Sequence, residues 1–286
     1  MRRAQQGIAL ITVLLVMSLA LLVTAGMLRS HRLALHSSAQ QIHQLQLRKL
    51  AFAGEAWALE HLKTQLRDPA SSVASGQAWA SGQPPLEIDN GLIEVEIEDL
   101  AARFNLTALL TKGPADKVLA QRWSRLQALL KLSEVEASAL QGLSLSDISQ
   151  LRQVPGIDGP WLTTLQPWVV LLPKDAALNI NTTSTTLLAT LEGITPQVAN
   201  QLIAERPLQG HASVQDFTFA PVLIGLGVQA TGLGTTSRWF RITTHARIGQ
   251  SRLRLESDVT RDLKTDKWHL LQRRLLAPKH SEPLDE

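Results

Sequence analysis

Cysteine is absent from all 286 residues. That one absence removes structural disulfides, cysteine-based zinc sites and thiol nucleophiles. Acid is missing from the beginning of the chain: the first carboxylate is Glu55, and Arg2, Arg3, Arg29, Arg32, Arg48 and Lys49 all precede it. Also missing are a phosphate-binding Walker loop, a Gly-x-Ser-x-Gly elbow, a His-Glu-x-x-His pair and an EF-hand loop. Nothing in the sequence favours an enzyme. The net charge of +3 is small, so its placement matters more than its size. A basic, acid-free leader suits nucleic acid or an anionic membrane face, and the apolar run beside it favours the membrane.

What is present begins with that run. Ile8 through Leu28 carries no charge over twenty-one residues. As a helix rising 1.5 Å per residue it would be about 32 Å long, the thickness of a hydrocarbon core. Arginines flank both ends, so charge alone does not orient it. Two plainer readings are a secretory signal cleaved near Val23-Thr24-Ala25 and an ordinary uncleaved anchor. The first requires an apolar region of about 7–15 residues, shorter than this one.

The next clue is Gln5-Gln6-Gly7-Ile8, where a short basic leader ends in glycine directly before the apolar helix. This junction resembles that of type IV prepilins and pseudopilins. The resemblance implies that a prepilin peptidase cuts after Gly7 and methylates the new N-terminus, Ile8. Most members carry Glu at the fifth mature position; here it is Thr12, an absence typical of type II secretion protein K. In such filaments the buried acid offsets the charged amine of the subunit above. A subunit with nothing above it does better without an unpaired buried carboxylate, so Thr12 points to the tip.

Leu47, Leu50, Gly54, Trp57, Ala58, Leu62 and Leu66 recur at three- and four-residue steps, one apolar face of a helix. Between Gly26 and Pro69 the only glycine or proline is Gly54. A rod from Ile8 to Arg67 would be about 90 Å long if Ser37-Ser38 does not bend it. His31, His36 and His43 lie on the rod at spacings of five and seven. That is a poor metal pattern, and they read as solvated side chains.

Ser71 to Pro85 reads as a loop. Asn90-Gly91 is a hairpin signal, after which Ile93, Val95 and Ile97 alternate with Glu94, Glu96 and Glu98 as a half-buried strand. Near the C-terminus Phe240, Ile242, Thr244, Ala246 and Ile248 alternate with Arg241, His245 and Arg247. Then come a Gly249-Gln250 turn, a second alternation through Val259, a turn over 262–267 and a last strand over 268–276. The acidic and basic outer faces predict one antiparallel sheet, whose apolar face covers the Leu47–Leu66 stripe. From about Asp99 to Gly234 the period is helical. Pro114 and Ser133-x-x-Glu136 are read as helix starts, as are Thr195-Pro196 and Ser213. The fold class is α+β: a long N-terminal transmembrane helix, a pseudopilin-like antiparallel sheet packed on its C-terminal half, and a large all-helical domain inserted between strands.

That order is similar to protein K over about Gly7 to Leu276. The supporting segments are Arg103-Phe104-Asn105-Leu106, Gln153-Val154-Pro155-Gly156-Ile157, Leu178-Asn179-Ile180-Asn181-Thr182 and Phe240 to Glu256. The expected divisions are leader 1–7, membrane helix 8–28, stem and first strands 29–99, inserted helical domain 100–234, C-terminal strands 235–276 and tail 277–286, its end disordered beyond Pro278. The resemblance implies a minor pseudopilin at the tip of the type II secretion pseudopilus, initiating assembly and limiting growth. Its partners would be minor pseudopilins I, J and H, the prepilin peptidase, the inner-membrane platform and lipid, with the head in the periplasm. No cofactor is required. Calcium occurs in some family members, and Asp147, Asp158, Asp262 and Asp266 stand near turns. Most such aspartates only cap turns, and none is assigned as a ligand.

Two alternatives remain. One is a minor pilin priming a type IV pilus. The other is an anchored DNA-uptake receptor, because Asn179 to Phe217 resembles a helix-hairpin-helix and Val154–Gly159 a degenerate second copy. Here, though, Thr195 follows Gly193-Ile194 where such modules place a second glycine. The segment carries only Arg206 against Glu192, Glu205 and Asp216. Phosphate binding asks for the opposite balance, so no nucleic-acid partner is expected.

Overall fold

The computed structural model describes residues 2–82, 84–88, 91–111 and 116–277. It opens with a single helix, α1 (Arg2–Gln65), of 64 residues, about 96 Å at 1.5 Å per residue. Ser37 and Ser38 lie within this continuous helix. The interior lacks proline, and its straight-chain and alanine residues cost little as helix.

Two short strands follow, β1 (Leu86–Ile88) and β2 (Gly91–Asp99). Ile88 pairs with Gly91, leaving two positions between the strands. Gly91 is therefore the first strand residue, not the turn glycine that Asn90-Gly91 suggested; Asp89 and Asn90 lie outside the described residues. The chain then runs through β3 (Phe104–Asn105), α2 (Thr107–Leu110), α3 (Lys117–Leu129), α4 (Gly159–Leu165) and β4 (Val169–Val170). Next come β5 (Leu178–Asn179), α5 (Thr185–Leu188), α6 (Pro196–Ala204), α7 (Val214–Thr218) and β6 (Leu233–Gly234). It returns as β7 (Trp239–Ile248), β8 (Ser251–Asp262) and β9 (Lys267–Leu276).

Strands β1-β2-β7-β8-β9 form one antiparallel sheet in that order. Strand alternation turns Ile93, Val95, Phe240, Ile242, Ala246, Leu255 and Val259 to one face, where they meet Leu47, Leu50, Ala51, Ala58, Leu62 and Leu66 of α1. Each fully buried leucine contributes about 1.5–3 kcal/mol, so this stripe is the main hold of the stem on the sheet.

The outer face corrects one detail of the charge expectation. Glu98 does sit opposite Arg241, yet its carboxylate accepts both arms of Arg103 at 2.7 Å. Arg241 instead forks onto Asp258 of β8 at 2.7 and 2.9 Å. Asp258 is its direct cross-strand neighbour on the other side and accepts a two-armed fork, while Glu98 is already held by Arg103.

Between β2 and β7 lies a second core, built around a Phe104–Trp123–Trp161 cluster with ring centroids 6.1 and 6.2 Å apart. Two parallel two-residue pairs, β3 with β4 and β5 with β6, draw its ends together. Asp116 caps α3, its carboxylate accepting from Val118 N and Leu119 N; Pro114, the expected start, lies outside the described residues. No α-helix starts at Ser133. Its carbonyl accepts the Trp161 indole N–H at 3.1 Å, and Val135 N donates to Gln127 Oε1 at 2.6 Å. Side chains from outside the motif have taken backbone groups that a first helical turn starting at Ser133 would use. Thr195 and Ser213 do cap α6 and α7. Residues 278–286 lie outside the described set.

Candidate membrane anchor and assembly stem

Every large apolar side chain from Leu10 to Leu28 is 56–74% exposed, and none of that window is buried by the rest of the chain. A patch of this size is far beyond what a soluble surface tolerates. The hydroxyls of Ser18 and Thr24 are satisfied inside the helix, Ser18 donating to Leu15 O and Thr24 to Ala20 O. They can therefore sit in hydrocarbon without an unmet hydrogen bond. Gly7 and Ile8 lie in the first turns of α1, and Thr12 on its exposed surface.

Farther along, α1 becomes the spine of the head, held by a clamp that sequence reading missed. Glu55, only 7% exposed, accepts from Ser257 Oγ of β8 and from both arms of Arg273 of β9. Burial pushes its carboxyl up, but the Arg273 and Ser257 hydrogen bonds outweigh that and hold it below its ordinary value of 4.5. At the far end of α1, Arg261 donates to the carbonyls of Leu66 and Arg67 and to Asp266. A cation there satisfies orphan helix carbonyls and the negative end of the helix dipole. These residues lie about 200 positions apart in the chain, beyond the reach of local pattern.

A second polar hub joins the sheet to the segment beyond it. Asp99, at the end of β2, is 2% exposed and accepts from Ala101 N, Asn179 Nδ2 and Thr182 Oγ1. Burial raises its pKa despite those bonds and one from Ser237. Asn179 also donates to Val73 O, and Asn181 exchanges hydrogen bonds with the backbone of His211. The Asn179-Ile180-Asn181-Thr182 motif is thus a buried splice, with Leu100, Ala101, Val170, Leu172, Ala176 and Trp239 forming a small core beside it.

The helix-hairpin-helix look-alike is built from α5 and α6, with Gly193 at φ +70° between them. The Leu226 backbone lies against Gly193, where an added Cβ would meet Leu226 O at 2.6 Å. Beside it, Glu192 forks onto Arg122 at 2.9 and 3.0 Å, both side chains buried. Arg122 also donates to the carbonyls of Gln229 and Thr231, which locks the 226–232 loop.

The four turn aspartates are each engaged. Asp147 caps a 3₁₀ turn through Ser149 N and Asp158 caps α4 through Trp161 N. Asp262 accepts from Lys264 N, and Asp266 pairs with Arg261. They do not converge, and among the described residues no three His, Asp or Glu side chains come together as a metal cluster. His31 and His43 are exposed on the stem.

Comparison with known proteins places this geometry. A family model described as type II secretion system (T2SS), protein K matches residues 178–236. Type II secretion system protein K of Pseudomonas aeruginosa is 31% identical over 301 residues, covering 91% of this chain and 90% of that protein. The Aeromonas hydrophila protein K is 27% identical over 95% of this chain and 97% of the relative. Among solved structures, a chain of the GspK-GspI-GspJ complex from the enterotoxigenic Escherichia coli type 2 secretion system superposes with a TM-score of 0.72. It is 22% identical, and the match covers 85% of this chain and all of that one.

Proposed function

This chain belongs to the type II secretion system protein K family, the minor pseudopilins, and from that premise we propose that it forms the tip of a short periplasmic pseudopilus. There it initiates assembly and limits growth, with minor pseudopilins I and J alongside and H below. One observation carries the reading. The same helix that is wholly exposed and apolar from Leu10 to Leu28 becomes the buried spine of the sheet from Leu47 to Leu66. Anchor and head are therefore one rod, and a subunit drawn from the membrane carries its head with it. The segment between β2 and β7 has the larger of the two main cores. Such a bulk on the head would obstruct a further subunit above it, as a cap must. Thr12 fits the same position, since no acid there awaits an amine from above.

Processing follows from the Gly7-Ile8 junction: prepilin peptidase cleaves after Gly7 and methylates Ile8. The chain then waits as a single-pass inner-membrane protein with its head in the periplasm. A cytoplasmic motor supplies the work of export, and this chain needs no active site. The exposed apolar helix and the acid-rich, self-covered α5–α6 hairpin support lipid and protein partners over nucleic acid.

The test is the N-terminal mass of the protein purified from its host's membranes, with and without active prepilin peptidase. An N-methylated Ile8 start that disappears without the peptidase is expected. An intact Met1, or a start near Gly26, overturns the reading. Capture of pseudopilins rather than type IV pilins separates the two filament machines. A salt-dependent gel shift addresses the DNA-uptake alternative.

A further inference from the structure

A basic cleft of about 480 Å³ lies between the last turn of α1 and the β8–β9 turn. Four cations line it, Lys63, Arg67, Arg261 and Lys267, together with Trp268 and His269. Asp266 is its one carboxylate among the described residues. Clefts of this size hold small molecules.

A helix C-terminus ordinarily repels an anion, because its last carbonyls are unmet and the dipole is negative there. Here Arg261, 5% exposed, covers that end. It donates to Leu66 O and Arg67 O and pairs with Asp266. One guanidinium thus engages the carboxylate of the cleft and two helix carbonyls together. The neighbouring acids are engaged as well: Asp68 accepts from Ala70 N, and Asp262 from Lys264 N and Thr265 Oγ1. Asp262 also acts on His269, so the charge left for a ligand is that of Lys63, Arg67 and Lys267. Among the described residues Arg67 and Lys267 make no ion pair. Lys63 has only Glu60, an exposed neighbour at 3.2 Å, and such pairs are weak.

Three uncommitted cations around one concavity call for a ligand with more than one negative charge. A carboxylate brings one. A phosphate monoester brings about 1.5–2, on three acceptor oxygens, and arginine grips it with two parallel hydrogen bonds. Trp268, packed on Phe240 at 5.7 Å, offers a fixed aromatic wall to an organic body beside the phosphate. Lys63 stands about 52 Å along α1 from Leu28, where the apolar span ends, so headgroups of the membrane spanned by that segment do not reach the cleft.

We propose that this cleft binds a phosphate monoester on a compact organic body, gripped by Arg67 and Lys267 with Lys63 assisting. The same chemistry is carried by a soluble ester and by the headgroup of a facing membrane.

The test uses the full chain embedded in phosphatidylcholine nanodiscs, so that its anchor is already occupied. Glycerol 3-phosphate is titrated in calorimetrically at constant ionic strength, and ethyl sulfate, a monoester of similar shape with one charge, serves as the comparison. Glycerol 3-phosphate should bind about tenfold more tightly than ethyl sulfate. Arg67→Gln and Lys267→Gln should each weaken it about tenfold. Both side chains are exposed, so the unfolding midpoint without ligand should stay in place. Arg152→Gln with Lys174→Gln, exposed cations outside the cleft, should leave the affinity unchanged. Flotation with vesicles of phosphatidylcholine, with and without phosphatidic acid, separates the two sources. Flotation that requires phosphatidic acid and is displaced by glycerol 3-phosphate identifies a headgroup; calorimetric binding without flotation identifies a soluble ester. The proposal is overturned by no binding in either arm up to about 10 mM, by equal affinity for ethyl sulfate, or by binding that survives both cleft substitutions.

Discussion

Replacing Gly54 with alanine should loosen the stem from the sheet, although alanine is the better helix residue. Glycine in a helix interior costs about 0.8–1.0 kcal/mol relative to alanine, so propensity alone predicts a gain. Packing opposes it. A Cβ at position 54 would stand 2.6 Å from Thr244 Cγ2 and 2.7 Å from Ile93 Cγ2. Both neighbours are buried, at 0% and 1% exposure, and both are β-branched and stiff at χ1. Neither can rotate away, so the helix must lift by about 1 Å to reach ordinary contact, and it takes Leu50, Ala51 and Ala58 with it. Overpacking of this kind costs about 1–3 kcal/mol. The net expectation is a loss of up to about 2 kcal/mol after the propensity gain. The assay is urea unfolding of the full chain in detergent, followed by near-ultraviolet circular dichroism. Trp79 packs edge-on to Phe240 in this core, at 5.3 Å, and reports on it. Adding Thr244→Ser deletes the nearest methyl and should recover part of the loss. Gly26→Ala, with nothing within 4 Å, should leave the midpoint in place. Stability of Gly54→Ala at or above that of the parent would refute the reasoning.

The remaining predictions concern buried charge. Glu55 has a folded pKa below its ordinary value, so the stability it contributes is complete above that value and disappears as pH falls through the lowered one. Glu55→Gln should therefore cost about 1–2 kcal/mol at neutral pH and converge with the parent in acid, as urea midpoints along a pH series would show. A constant difference at every pH would count against the clamp. Arg122→Leu leaves the 8%-exposed Glu192 unpaired and should cost about 3–5 kcal/mol. Limited proteolysis should then cut within 226–232. Adding Glu192→Leu should restore much of the stability, because it removes the stranded carboxylate.

The two levels of structure divide along the range of the forces involved. Hydrophobic length and strand alternation are properties of neighbouring residues, so the apolar helix, the strands around Val95 and Ile242 and the caps at Thr195 and Ser213 were legible from sequence. So was the sheet's choice of the Leu47–Leu66 face, because a single apolar stripe has one way to be buried. Ser133-x-x-Glu136 shows where this stops. The motif is locally correct, but Gln127 at the end of α3 and Trp161 of α4 take its backbone groups. Glu98 likewise had a suitable cation opposite, but that cation went to Asp258.

By itself, then, the sequence determined that this chain has one apolar span long enough for a bilayer, an α+β head in helix–strand–helix–strand order, and a family likeness. Each follows from patterns within a few tens of residues. Only the tertiary structure decided that Glu55 meets Ser257 and Arg273, that Asp99 is spliced to Asn179 and Thr182, and that Arg122 and Glu192 pair under the 226–232 loop. Whether a polar group is stranded or satisfied, and whether an apolar face is core or surface, depends on what the fold brings from tens to hundreds of residues away.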